Sequence, residues 1–284
     1  MRLLVFGESG QLATELRRLA PEARYLGRAT ADLANPEACA TAIRQHRPDA
    51  VINAAAYTAV DRAESDEALA TVVNGDSPAA MARAAADVGA VMIQPSTDYV
   101  FDGAGQAPFG PDHPAAPLNA YGRSKLAGEA GVRAAGGVHA ILRVSWVFSA
   151  HGANFVRTML RLGAERDALN VVADQTGGPT PAADIARACL RIAQRLRDQP
   201  ELTGSYHFTG APDVSWAGFA REIFAQAGLS CTVHDITTAD YPTPAQRPLN
   251  SRLDCRSLSA AFGLSRPDWR AGLEQVLQEL NGRK

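Results

Sequence analysis

Lysine is almost absent from this chain of 284 residues. Of its 28 cationic side chains only Lys125 and Lys284 are lysines; the others are arginine. An interior ammonium in such a sequence marks a position where the broad, planar guanidinium does not serve. A surplus of one charge is also missing: 28 Lys and Arg face 30 Asp and Glu, for a net charge of -2. That balance, with no block of like charge, excludes a nucleic-acid or membrane surface built on electrostatics. No apolar run approaches the ~20 residues of a membrane span. The start, MRLLVFGESG, lacks the apolar length and the cleavage site of a signal peptide. The four cysteines, Cys39, Cys189, Cys231 and Cys255, are far apart and form no CxxC or Cys/His cluster. Neither a zinc site nor a disulfide framework is indicated, no metal ligand is assigned, and a reducing cytoplasm is the expected compartment.

What is present is patterned. With 46% hydrophobic and 20% charged residues, the composition is that of a globular α/β protein. Strands are predicted at 2–6, 23–26, 50–56, 91–96 and 139–148. Helices lie between them, signalled by Leu12, Leu16 and Leu19, by Asn35-Pro36, by Ser77-Pro78 with Gly89, and by residues 120–135. Strict alternation predicts βαβ units and a Rossmann-like, doubly wound parallel sheet. Past residue 150 the pattern loosens: helices at 154–165, 182–196 and 269–281, short strands near 169–173, 205–209 and 231–236, and a Pro-rich YPTPAQRP. The expected organisation is a dinucleotide-binding domain over 1–150 and a smaller, irregular substrate-binding portion over 151–284. Parts of 165–196 return to the first domain, and the sheet itself is not regularly extended.

Gly7, Gly10 and Ala13 form GxxGxxA between the first strand and first helix. In that setting Gly7 allows a tight turn, Gly10 lets a pyrophosphate approach the helix N-terminus, and Ala13 keeps helix and strand close. Ser9, Gln11 and Leu12 would border the phosphates or the nicotinamide. The second strand ends in Leu26-Gly27-Arg28, without the acid that usually meets an adenosine ribose. Arg28 is either a partner for a 2'-phosphate, which favours NADPH over NADH, or a solvated surface arginine. Asp32 offers a carboxylate for adenine or ribose. Ala54, Ala55 and Ala56, at the end of the third strand, are small enough for a flat ligand to lie on the backbone, or simply pack on a helix.

Tyr121 and Lys125 stand four residues apart on one helical face. A lysine ammonium near a phenol favours the phenolate. Bringing Tyr from ~10 to near neutrality takes roughly 4 kcal/mol, at ~1.4 kcal/mol per unit. The pair suggests proton donation to a carbonyl as hydride arrives, or else a surface pair of no consequence. Ser96-Thr97-Asp98-Tyr99 follows a strand at its C-terminal end, where ligands of open parallel sheets bind. There the Thr97 hydroxyl can back up Tyr121 or satisfy a local turn.

Six segments then carry a resemblance: GESGQL, NAAAYTAVD (53–61), STDYVFDG (96–103), LNAYGRSKLAGE (118–129), RVSWVF (143–148) and YPTPAQRPLNSRLD (241–254). Together they resemble the extended short-chain dehydrogenase/reductases, and most nearly the dTDP-4-dehydrorhamnose reductase family. The resemblance implies hydride transfer from NADPH or NADH to the C4 carbonyl of dTDP-4-dehydro-L-rhamnose, the last step of dTDP-L-rhamnose biosynthesis. It implies catalytic roles for Tyr121, Lys125 and Thr97. Cofactor contacts are implied at Gly10 to Leu12, Asp32, Leu33, Ala56, Tyr57 and Thr58. Substrate contacts are implied at Asp98 and Trp146, and more weakly at Val60, Asn154 and Arg247. The implied partner is a sugar nucleotide, and the implied assembly a monomer or homodimer. Some members of the family are associated with a divalent cation, for which this sequence shows no ligand spacing; Glu15 is one contact candidate. Two alternatives stand beside this reading. One is another sugar-nucleotide reductase, epimerase or dehydratase of the superfamily. The other is a non-catalytic regulatory subunit, which need not keep Thr97, Tyr121 and Lys125.

Overall fold

The computed structural model describes residues 1–282. Its centre is a six-stranded, all-parallel sheet. In chain order the first five strands are β1 (Leu3–Phe6), β2 (Arg24–Leu26), β3 (Ala50–Asn53), β4 (Val91–Thr97) and β5 (His139–Val144). Across the sheet the order is Gly204–His207, β5, β4, β3, β1, β2. The order reverses between β1 and β3, which opens a crevice beyond their C-terminal ends. Alternate strand residues supply the two cores. Leu3, Val5, Ile52, Ile93 and Leu142 pack with Leu16, Ile185 and Ile192, on helices Gln11–Leu19 and Ala182–Asp198. Leu4, Phe6, Val51, Met92 and Ile141 pack with Ile43, Met81 and Val132, on helices Pro36–His46, Ser77–Val88 and Ala120–Ala134. Covering both faces is what makes these strands read as unbroken apolar runs.

The remaining chain builds a second layer over one end of the sheet. Helices Phe155–Glu165, Trp216–Ala227 and Trp269–Asn281 surround a two-stranded parallel ribbon, Ala168–Val172 with Thr232–Ile236. Their shared core includes Phe148, Phe219, Ile223, Trp269 and Leu273. Among the described residues no helix is long and apolar enough to cross a membrane.

Four features differ from the sequence reading. The third strand stops at Asn53, whose side chain donates to Gln94 Oε1 at 3.0 Å; Ala54 still donates its N–H to Phe6 O at 2.9 Å, and the chain then leaves the sheet. The fifth stops at Val144, because Trp146 takes a left-handed φ of +48°. And the sheet is extended after residue 150: Gly204–His207 pairs with β5 in parallel register. Residues 216–227, expected only as the interval between short strands, form a helix capped by Ser215 Oγ on the Gly218 N–H at 3.1 Å and ended by Gly228 in the left-handed conformation.

Candidate active site

The crevice begins at the first βα turn. Gly7 has φ +112°, and a Cβ there would press to 3.3 Å on the Ala54 backbone. Only glycine keeps β1 and the end of β3 this close. Ser9 and Gly10 are exposed, and no side chain caps helix Gln11–Leu19, so its first N–H groups stand open to an anion. Ala13 is fully buried against the sheet and Leu12 packs at the core's edge. Ala54, Ala55 and Ala56 expose small side chains beside this turn. The arrangement fits a dinucleotide, with its pyrophosphate over the glycine turn and a flat ring along the alanines. Arg28 is exposed at the end of β2 and Thr58 at the end of the alanine segment. Asp32 is partly occupied, its Oδ1 accepting the Ala34 N–H at 2.9 Å. Leu33 belongs to the core, and its carbonyl accepts the Ser77 hydroxyl at 2.6 Å. Tyr57 is held by an anchor that motif reading did not find. Asn74 Oδ1 accepts the Tyr57 N–H at 2.9 Å, and Asn74 Nδ2 donates to Tyr57 O at 2.9 Å and to Ser124 Oγ at 3.0 Å. A lone Asn at 1% exposure in a helical run was the available signal, since a buried amide needs partners.

Thr97, Tyr121 and Lys125 meet where β4 ends. Asn119 caps helix Ala120–Ala134, its Oδ1 accepting the Gly122 N–H at 2.8 Å. A Cβ at Gly122 would collide with the Tyr99 carbonyl, so this glycine lets the helix lie against the strand end. Tyr121 thereby reaches Thr97, whose hydroxyl favours the phenolate by hydrogen bonding, and packs edge-on against Tyr99 at 5.6 Å. The Lys125 ammonium is buried, 5% exposed, and donates to Pro95 O at 2.8 Å. Thr97 Oγ1 also donates to Asp98 Oδ1 at 3.1 Å.

The electrostatics correct one expectation. Burial pushes the Tyr121 phenol up to about 12, against the pull of Thr97 and with a further push from Asp98. Burial draws Lys125 down to about 8, against the attraction of Glu129. Burial, not the neighbouring ammonium, sets the direction of the phenol's shift. Both groups lose water, and the ammonium is turned to a strand carbonyl. Tyr121 is therefore a neutral, proton-bearing phenol. Asp98 is also raised, to about 6, by burial that outweighs the hydroxyls of Ser251 and Thr97.

Beside Tyr99 opens a cavity of about 750 Å³, whose wall includes Asp61, Gln175, Trp216, Tyr241 and Arg247. Arg247 Nη2 donates to Asp61 Oδ2 at 2.8 Å, while its Nη1 is buried without a hydrogen-bond partner. Asn119 Nδ2 donates to Gln246 O at 2.8 Å and so ties this Pro-rich segment to the helix bearing Tyr121. Trp146 lies behind the cavity wall. Its ring stacks on Trp216 at 3.6 Å and 11°, and it is Trp216 that lines the cavity. Asp61, next to Val60, lines the cavity. Asn154 serves the fold: it caps helix Phe155–Glu165 through the Arg157 N–H at 3.2 Å and donates to Gln11 Oε1 at 3.1 Å.

One cluster was foreshadowed only by Glu15. Glu15, His151 and Glu279 bring ligand-type atoms within 4.8 Å of one another, from segments far apart in the chain. Arg18 already supplies a cation, at 3.5 Å from Glu15 and 2.5 Å from Glu279.

The chain matches the family model described as "RmlD substrate binding domain" over residues 1–281. It is 46% identical over 289 aligned residues to a dTDP-4-dehydrorhamnose reductase of Sinorhizobium fredii, spanning 99% of this chain and 98% of that one. The Escherichia coli K12 enzyme of the same name is 41% identical, with 99% and 98% covered. Among solved structures, a dTDP-4-dehydrorhamnose reductase from Clostridium acetobutylicum superposes with a TM-score of 0.92 at 36% identity, over 99% of this chain and 100% of that one. One from Bacillus anthracis, in complex with NADP, gives 0.91 at 36%, over 98% and 99%. The glycine turn, the Thr97–Tyr121–Lys125 cradle and these full-length matches agree, and the chain belongs to the dTDP-4-dehydrorhamnose reductase family.

Proposed function

We infer that Tyr121, Thr97 and Lys125 carry the reaction of a dTDP-4-dehydrorhamnose reductase in this chain, an NAD(P)H-dependent oxidoreductase that converts dTDP-4-dehydro-L-rhamnose to dTDP-L-rhamnose. The observation that supports this most is the proton-bearing Tyr121 phenol in contact with Thr97 and packed on Tyr99, which lines a cavity of about 750 Å³. The nicotinamide supplies hydride to C4. Tyr121 donates its proton to the C4 oxygen, so that the carbonyl becomes a hydroxyl as hydride arrives. Thr97 orients that oxygen and hydrogen-bonds the phenol. Lys125 offers a compact ammonium for a ribose hydroxyl and for the phenolate that proton transfer leaves. Arg247, through its unpartnered Nη1, receives the diphosphate, with Asp61 holding the other arm of the fork. Gly7, Ser9, Gly10, Gln11 and Leu12, with Ala54 to Ala56, would hold the cofactor. Arg28, exposed just past β2, is our candidate for a 2'-phosphate, which favours NADPH.

The substrate-binding portion comprises residues 151–284 less those that return to the sheet. We place the protein in the cytoplasm, where its four buried free cysteines stay reduced, as a monomer or homodimer. The test supplies dTDP-4-dehydro-L-rhamnose with NADPH and then NADH and follows the loss of nicotinamide absorbance. Consumption is expected, faster with NADPH; folded protein that consumes neither would overturn the assignment.

A further inference from the structure

Glu129 stands one turn beyond Lys125 on the same face of helix Ala120–Ala134 and is fully buried, at 0% exposure. It accepts from Ser96 Oγ at 2.6 Å, next to Thr97 at the end of β4. It accepts from Arg143 on β5 through Nε at 2.8 Å and Nη2 at 2.7 Å, in a two-pronged pair, and from Arg133 at 3.2 Å. Arg143 is 3% exposed and also donates to Pro111 O at 2.9 Å. One carboxylate thus grips the helix that carries Tyr121 and Lys125, the strand end that carries Thr97, and the strand that leads to Trp146.

We propose that Glu129 is a positioning residue for the active site: it locks the Tyr121–Lys125 helix to the Thr97 strand end and stands as the counter-charge to the Lys125 ammonium. A buried carboxylate with a bidentate arginine already has its partner, so the pair could be taken as structural alone. Two facts say otherwise. The third acceptor contact goes to Ser96, adjacent to Thr97. And Glu129 is the charge that acts on Lys125. The remaining charges around the network are Arg143, Arg133 and Asp254, with Asp98 at the end of β4. His207, 3.2 Å from Arg143, is held neutral by burial and by that arginine. Burial opposes charge on Glu129, but Arg143, Ser96 and Arg133 outweigh it and hold its carboxyl below the usual range. It stays anionic wherever the enzyme works. Without it, the Lys125 ammonium, already weakened by burial, releases its proton at lower pH.

This inference rests on the reductase reading, in which a charged Lys125 holds the cofactor ribose. The experiment is the pH profile of kcat/KM for NADPH in wild type, Glu129→Gln, and the double variant Glu129→Gln/Arg143→Gln, which removes both buried ions and leaves only the half-exposed Arg133 without its carboxylate partner. The alkaline limb of the double variant should move acidward by about one unit, giving about a tenfold deficit at pH 8.5 against a few-fold deficit at pH 6.5. NADPH affinity measured by fluorescence should weaken in parallel. A double variant whose loss is the same at every pH, or one that does not fold, would assign the pair to stability alone and overturn the proposal. Wild type that consumes no NADPH at any pH would instead overturn the reductase reading.

Discussion

The cradle around Tyr121 and the cavity beside it are built in opposite ways. Thr97, Tyr121 and Lys125 sit on one strand end and one helix, within 29 residues of sequence, and their neighbours Ser96, Asn119 and Glu129 lie in the same segments. The cavity wall takes Asp61, Tyr99, Gln175, Trp216 and Arg247 from five separate places. The first arrangement is rigid: a cap on Gly122, a close helix–strand approach, and a buried ion pair behind. The second is assembled across layers, with Trp216 donating to Gln175 at 3.1 Å and Arg247 pairing with a partly exposed Asp61. The difference teaches that proton and hydride chemistry, which tolerates little misplacement, is kept local. Recognition, which needs shape, is distributed.

Substitutions can break that division. Tyr121→Phe should lose about 10²- to 10⁴-fold in kcat, the usual worth of a general acid. NADPH affinity, read by fluorescence titration, should stay near wild type; turnover that persists would remove Tyr121 from the role. Asp98→Asn probes the seam between the regions. Its folded pKa near 6 lies above the ordinary 3.8, so the folded state holds the extra proton and wild type loses stability as pH rises from about 4 to 6. The variant should escape that loss, worth at most about 3 kcal/mol, and gain in Tm relative to wild type at pH 8 but not at pH 4. An equal difference at both pH values would contradict it. Lys125→Arg should cost about 10²-fold in kcat, because a guanidinium cannot reach both Pro95 O and a ribose from this buried place. Near-normal kinetics would make the chain's one interior lysine a coincidence. Arg247→Met should act on the other side of the division. It should raise KM for the sugar nucleotide about tenfold with kcat little changed, the loss of one charged hydrogen bond; a fall in kcat alone would move Arg247 into the chemistry.

The same division governs what could be read in advance. The five N-terminal strands, and the placing of Thr97 at a strand end beside the helix of Tyr121 and Lys125, were legible because periodicity and short motifs are local properties. Leu3 and Val5 against Leu4 and Phe6 reveal a strand buried on both faces before any partner is known. Gly7 and Gly10 were legible for the same reason. Gly204–His207 was not seen as a sheet strand, since joining β5 depends on where the preceding helix returns. Trp146 drew attention as an aromatic in a motif. Its left-handed backbone turns it onto Trp216, and only the fold makes Trp216 the cavity wall. The helix carrying Trp216 did have signals, Ser215 at its start and Gly228 at its end. Lys125 was recognised by scarcity, but its electrostatic direction was not, because desolvation is a property of the folded interior.

The central claim is that hydride and proton arrive at one carbonyl held between Tyr121 and the cofactor crevice. The direct test is turnover of dTDP-4-dehydro-L-rhamnose with NADPH deuterated at the transferring position, followed by NMR of the sugar. Deuterium at C4 of dTDP-L-rhamnose is the predicted result; a reduced product without deuterium at C4 would contradict it.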